Sequence, residues 1–287
     1  MRLCRFGNGR LGVVDGGGLR DVTAALDGLP SYRYPLPDFD VLIAHLEALR
    51  PAIEAIARQS PPLPLQGVAL LSPVANPGKL IGAPVNYQQH LEEVLKNPDL
   101  HHGNQVPVIQ RAGLFLKATS SLIGAGEGVA LRKSDRRTDH EVELAFVIGK
   151  PASRIARADA LHYVAGYCIG LDISIRGPEE RSLGKSPDTY SILGPWLVTA
   201  DEIPDPGALE LRLSVNGQVR QQSNTGDLIL GVAELVEYAS SFYTLCPGDV
   251  IFTGTPAGVG PIQPGDTLTA CIDRIGTMQV DVRAENP

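Results

Sequence analysis

The sequence predicts a mainly β fold with a few helices (α+β), of the barrel or folded-over sandwich kind. Three observations lead there. From Lys79 onward, short apolar segments rich in β-branched residues follow one another between Gly, Pro and Asn turns. Helical periodicity is confined to a few stretches. Residues 60–78, SPPLPLQGVALLSPVANPG, hold five prolines and mark a link between a small N-terminal α+β domain, 1–75, and a larger domain, 76–287.

In chain order, RLCRFGNGRLGVVDGGGLRDVT reads as two or three short strands joined by tight turns. A helix follows. Asp40 is placed to cap it, and Leu42, Leu46, Leu49, Ile53 and Ile56 recur at helical spacing. Pro51 is expected to kink or split it. One short strand, Val68–Leu71, lies in the proline-rich link. KLIGAPV, GLFLKA, VELAFVIG, YVAGYCIGLDISI, WLVTA, LELRLSVNG, DVIFTG, TLTACID and MQVDVR then read as strands, with helices near 87–96, 157–163 and 229–243. The polar, turn-rich stretch 94–113 is expected to be a long loop acting as a lid.

Composition narrows the function. No segment is long and apolar enough to span a membrane, and the N-terminus lacks the apolar run of a signal peptide. The expectation is a soluble, cytoplasmic protein. A net charge of −7 over 287 residues argues against a nucleic-acid partner. An anionic substrate would need local cations to hold it against that field. The four cysteines, Cys4, Cys168, Cys246 and Cys271, are far apart and sit beside apolar residues, so they read as buried reduced thiols.

The chemistry is carried by acids. Asp139-His140-Glu141-Val142-Glu143-Leu144-Ala145-Phe146-Val147-Ile148 reads as one strand. Residues two apart share a face, so Asp139, Glu141 and Glu143 line one side, at the mouth of a half-buried surface. Partly desolvated carboxylates roughly 6–7 Å apart repel each other. A proton, an arginine or a hard cation such as Mg²⁺, Mn²⁺ or Ca²⁺ must offset that. The plain alternative is an ordinary solvent-facing strand. A second strand shifts the balance: YVAGYCIGLDISIR is apolar up to Asp172, which then needs a partner, Arg176 or a metal.

These residues resemble the fumarylacetoacetate hydrolase family. The resemblance lies in D-x-E-x-E-L-A-x-V-I-G-K followed by G-Y-x-x-x-x-D-x-S-x-R. Asn86-Tyr87-x-x-His90-x-x-Glu93, Gly184-Lys185-Ser186, Gly194-Pro195, Val215-Asn216-Gly217, Pro247-Gly248-Asp249 and Thr253-Gly254-Thr255-Pro256 extend it over 79–282. It implies a mixed β-roll or barrel preceded by a variable small domain, usually as a homodimer. It also implies a divalent ion, Mg²⁺, Mn²⁺ or Ca²⁺, on Glu141, Glu143 and Asp172.

The same resemblance implies roles for other residues. His90, oriented by Glu93, would activate water. Lys185 would stabilise charge and deliver a proton, and Arg176 would hold a carboxylate. Lys117, Tyr87, Gly254 and Thr255 would stand near the substrate. The implied activity is hydrolytic carbon–carbon cleavage of an acylpyruvate or related 1,3-dicarbonyl acid. Alternatives on the same site are an oxaloacetate-type decarboxylase or tautomerase, a 2-oxo sugar acid dehydratase or hydrolase, or a non-catalytic metal-stabilised binding protein. Three features depart from many members: Glu179 where glutamine is common, a short Gly177–Gly184 segment, and the long 94–113 stretch with His101 and His102.

Overall fold

A computed structural model describes residues 1–16, 18–102, 108–133 and 135–285. Its centre is a twelve-stranded mixed sheet. The middle of that sheet is antiparallel: Ser191–Thr199 pairs with Val164–Asp172, which pairs with Val142–Ile148, which pairs with Val250–Phe252. Leu80–Gly82 then adds parallel to Val250–Phe252, and Phe115–Lys117 closes that side. A five-stranded sheet, with Glu210–Val215, Thr267–Ile272 and Gly276–Ala284 at its heart, lies apart from it.

Strand Val142–Ile148 is buried along its whole length, not half-buried as the alternation suggested. Both of its faces meet apolar layers. Val142, Leu144, Phe146 and Ile148 share a core with Leu211, Leu213, Leu268, Ala270 and Val280 of the five-stranded sheet. Ala145 and Val147 share a second core with Leu46, Leu49 and Ile53 from the N-terminal helix and Leu3 and Leu11 from the first strands. Each fully buried aliphatic side chain contributes about 1.5–3 kcal/mol, so the two layers hold this strand rigidly.

The N-terminal region joins the sheet directly. Arg2–Phe6 pairs antiparallel with Ser191–Thr199, so backbone hydrogen bonding crosses the compositional boundary near residue 75. Asp40 caps Val41–Ala44 through Ile43 N–H, and its other oxygen accepts from Ala75 and Asn76 N–H, each at 3.0 Å. The cap thus also pins the proline-rich link. Gly248 backs it: φ is +90°, and a Cβ there would lie 2.3 Å from the Asp40 Cβ.

Several local expectations are corrected. The first helix breaks at His45 and runs unbroken through Pro51 as Leu46–Gln59. Pro51 is the sixth residue of that helix, so the ladder forgoes one intrahelical hydrogen bond there without ending. Residues 157–163 form a 3-10 helix. The stretch 94–113 carries short helices, Pro98–His101 and Ile109–Ala112, and its residues 103–107 lie outside the described residues. All four cysteines are free thiols, two buried and two partly so, and burial pushes Cys4 up to about 12. Among the described residues no helix is long and apolar enough to cross a membrane.

Candidate active site

The acidic strand is two strands. Thr138–His140 pairs with Ser174–Ile175 and with Gly260–Pro261, whereas Val142–Ile148 belongs to the central sheet. Glu141 is the step between them. The second acidic strand steps at the same level, from Val164–Asp172 to Ser174–Ile175, and Asp172 N–H donates to the Glu141 carbonyl at 2.9 Å. The seam between two sheets therefore brings three acids together. One ligand oxygen from each of Glu141, Glu143 and Asp172 lies within 4.8 Å of the others, and all three side chains are buried.

A cluster of cations balances them. Arg176 Nε donates to Asp139 and its Nη2 to Glu141, both at 2.7 Å. Lys185 Nζ donates to Glu141 and Asp172 at 2.7 Å and to Ser174 Oγ at 2.6 Å, which uses all three ammonium protons. Lys117 Nζ donates to Asp172 and to the Tyr190 carbonyl. Burial works to raise the Glu141 carboxyl, but Lys185 and Arg176 outweigh it and hold it well below the ordinary range. Burial lowers Lys117 despite Asp172, whereas at Lys185 the pull of Asp172 and Glu141 overcomes burial and raises it.

Glu143 differs. It has no side-chain cation among the described residues; its polar contact is Gly254 N–H at 2.6 Å. Burial first, then Asp172, push its carboxyl well above the ordinary range. Gly254 has φ +95°, and a Cβ there would meet Asn86 Cβ at 2.8 Å and the Ala83 carbonyl at 2.9 Å. Glycine is what lets this amide aim at the carboxylate.

A buried carboxylate without a cation, beside two more with hard oxygen donors, suits a divalent ion that favours oxygen ligands. Glu141, Glu143 and Asp172 are the residues that would hold it.

The histidine lies on helix Gln88–Lys96, whose buried side is His90, Leu91 and Val94. His90 Nδ1 meets Glu93 Oε2 at 2.9 Å, and Gly258 N–H donates to the other Glu93 oxygen at 3.0 Å. That fixes the carboxylate, and through it the ring, leaving Nε2 available. Neighbouring Glu92 is exposed; it accepts from Gln88 Nε2 at 3.4 Å and lies 4.0 Å from Lys96 Nζ.

A cavity of about 350 Å³ collects these groups. His90, Glu141, Glu143, Asp172, Arg176, Lys185 and Thr255 line it; Tyr87, Glu93, Lys117 and Gly254 are not among its lining residues. His101 lines it too, whereas the exposed His102 does not. Tyr87 is buried with its hydroxyl unpaired among the described residues, and burial followed by Glu143 raises its phenol. Glu179 at the cavity rim faces Arg136, with both oxygens accepting at 2.8 Å.

One supporting residue escaped the sequence pattern. Gln221 is fully buried; its Oε1 accepts from Val142 N–H at 3.0 Å and His140 Nδ1 at 3.1 Å. Its Nε2 donates to Thr255 Oγ1 at 2.7 Å and the Pro256 carbonyl at 2.9 Å. Thr255 in turn donates to the Val142 carbonyl at 2.9 Å. Gln221 thereby replaces the missing strand partner at the step beside Glu141. Its strand, QVRQQSN, is polar but for the exposed Val219, and the local signal is the Asn216-Gly217 turn before it, with φ +50° and +80°.

Comparison with known proteins agrees with this architecture. The family model described as Fumarylacetoacetate (FAA) hydrolase C-terminal matches residues 79–283. The chain is 62% identical over 286 residues to a maleylpyruvate hydrolase of Aquipseudomonas alcaligenes, covering 99% of this chain and 100% of the relative. It is 34% identical over 279 residues to a mitochondrial oxaloacetate tautomerase of Rattus norvegicus, covering 92% and 83%. Among solved structures, the maleylpyruvate hydrolase from Sphingobium sp. SYK-6 in complex with manganese(II) ion and pyruvate superposes with a TM-score of 0.84 at 42% identity, covering 100% of both chains. With a family match over most of its length and relatives aligned nearly end to end, the chain belongs to the fumarylacetoacetate hydrolase family.

Proposed function

We propose that the protein is a divalent-metal-dependent acylpyruvate hydrolase whose substrate is maleylpyruvate or a close analogue. The observation that carries this is the convergence of three buried carboxylates and an oriented histidine on one cavity. The relatives named maleylpyruvate hydrolase support the substrate. The reaction adds water across the bond between the acyl carbonyl and the pyruvate methylene. It yields the free acid of the acyl arm and pyruvate.

A divalent ion on Glu141, Glu143 and Asp172 would supply Lewis-acid polarisation of substrate oxygens. His90 takes a proton from water at Nε2, with Glu93 holding the tautomer. Lys185 and Lys117 keep the carboxylates in place and counter their charge. Lys185 can pass a proton to the leaving carbon only by releasing Ser174 or a carboxylate, so its first role is positioning. Arg176 has two nitrogens committed to Asp139 and Glu141 and acts chiefly on the metal ligand. Thr255 and Gly254 shape the wall beside Glu143.

The oxygen-only donor set favours Mg²⁺ or Mn²⁺, with Ca²⁺ less suited to so compact a set. The reading extends to residues 76–287 as the catalytic unit, with 1–75 covering the outer face of its sheet. The family resemblance supports a homodimer.

The test is a metal-supplemented assay of the whole chain with maleylpyruvate, acetylpyruvate and oxaloacetate, identifying products. Stoichiometric pyruvate from an acylpyruvate, abolished by chelation, is the expected result. Keto–enol interconversion of oxaloacetate with no pyruvate from either acylpyruvate would put the tautomerase reading in its place.

A further inference from the structure

We infer that Arg181 determines substrate specificity at this site by binding a carboxylate on the far end of the substrate's acyl arm. This inference rests on the acylpyruvate reading above and deepens it. Arg181 lines the cavity and is only partly exposed. It has no hydrogen-bond or ion-pair partner among the described residues. The other cations of this site are committed: Arg176 to Asp139 and Glu141, Lys185 to Glu141 and Asp172, Lys117 to Asp172.

The acids closest in sequence to Arg181 are engaged elsewhere. Glu179 gives both oxygens to Arg136, and Glu180 accepts from Ser182 N–H at 2.8 Å. Burial acts against the charge of Arg181, with the fields of Glu141 and Glu180 working the other way. An arginine cannot shed its proton to relieve that, so an incoming anion gains from meeting it.

The geometry places it at a useful distance. Arg181 and Lys185 are the first and last residues of one short helix, Arg181–Lys185. Four residues apart, they share a face and are separated by about 6 Å along the axis. Both lie over the Phe115 ring, with the guanidinium 5.7 Å and the ammonium 5.5 Å from its centroid. Lys185 is buried against the carboxylate cluster, and Arg181 is one turn nearer solvent. A dicarbonyl seated at the cluster therefore sends its acyl arm past Phe115 toward Arg181. The planar guanidinium, held near the ring, offers a bidentate fork for a terminal carboxylate.

The experiment compares wild type, Arg181→Gln and Arg181→Lys on two substrates. Maleylpyruvate ends in a carboxylate and acetylpyruvate in a methyl group. In Arg181→Gln, kcat/KM for maleylpyruvate is expected to fall about 10- to 100-fold, mostly through KM, the worth of a charge-assisted pair. For acetylpyruvate it should fall less than about threefold, because the lost contact is absent there. Arg181→Lys should recover part of the loss, and the inhibition constant for maleate should rise with the KM. An equal fall on both substrates, or no fall on maleylpyruvate, overturns the inference while leaving the acylpyruvate reading intact. A wild-type enzyme that cleaves neither substrate overturns that reading and the inference with it.

Discussion

At the residue scale, the two glutamates of the site are held in opposite ways. Glu141 is fixed by Arg176 and Lys185, and Glu143 by one backbone amide. Neutralising each should therefore cost different things. Glu141→Gln leaves two buried cations short of a counter-charge and is expected to lower the stability of the metal-free protein by about 3 kcal/mol. Glu143→Gln replaces a carboxyl that burial and Asp172 already push toward its neutral form, and its stability in chelator should stay within about 1 kcal/mol of wild type. Both should lose turnover and bind Mn²⁺ far more weakly. Urea unfolding in chelator, set beside calorimetric Mn²⁺ titration, separates the two effects. Equal destabilisation by both substitutions would contradict the pairing described here.

How much of this was legible follows from the same residues. The spacing of Glu141 and Glu143 and the apolar run ending in Asp172 mark an acidic site in one dimension. The His90 and Glu93 spacing marks a helical pair. Which cation meets which carboxylate is not visible there. Arg176 reads as a substrate contact from its motif, yet it spends itself on Asp139 and Glu141. Arg181 carries no sequence signal, because a charged residue in a short polar segment looks like solvent-facing surface.

At the element scale, the site depends on strands that change sheets. Leaving a ladder at Glu141 would orphan the Val142 N–H, and Gln221 from a separate hairpin accepts it. Gln221→Ala would remove both sides of that bridge and leave several buried groups unsatisfied. The expected loss is at least about 2 kcal/mol of unfolding free energy, with weaker metal binding as the Glu141 step loosens. Chemical denaturation followed by metal titration checks it. Unchanged stability would mean that water or backbone shifts replace the bridge. The strand QVRQQSN could not be read as such because its exposed side chains and single buried glutamine produce no apolar alternation. Strand Val142–Ile148, by contrast, announced itself through β-branched and apolar residues, although its burial on both faces did not.

At the scale of the whole molecule, the first residues of the chain complete the central sheet and cover its outer face. Part of the attachment is electrostatic. Asp201, just after strand Ser191–Thr199, accepts from both terminal nitrogens of Arg50 on helix Leu46–Gln59, at 3.1 and 3.2 Å. Desolvation is the largest single influence and works to raise the Asp201 carboxyl, but the Thr199 hydroxyl and Arg50 together outweigh it and lower it from 3.8 to about 2. A depressed folded-state value means stability that is present above the unfolded value and lost as the pH falls. The contribution is therefore full above about pH 4 and disappears between roughly pH 4 and 2. Because the pair is exposed, Asp201→Asn should cost only a few tenths to about 1 kcal/mol at pH 7. The gap to wild type should close below about pH 2. A gap that persists there, in unfolding curves taken across that range, would point to packing rather than charge.

By itself the sequence determined the β-rich class, the helix cap at Asp40, the acids that cluster at the site and the family. Each of these is written in short-range spacing: alternation, capping chemistry, carboxylates two residues apart, glycines at turns. Only the tertiary structure decided the charge pairing, the Gln221 bridge, the burial of the acidic strand on both faces and the unpaired guanidinium of Arg181. Those depend on which distant segments meet at the seam between the sheets. Burial and Coulomb energy are functions of distance in space, and strands far apart in sequence are neighbours there.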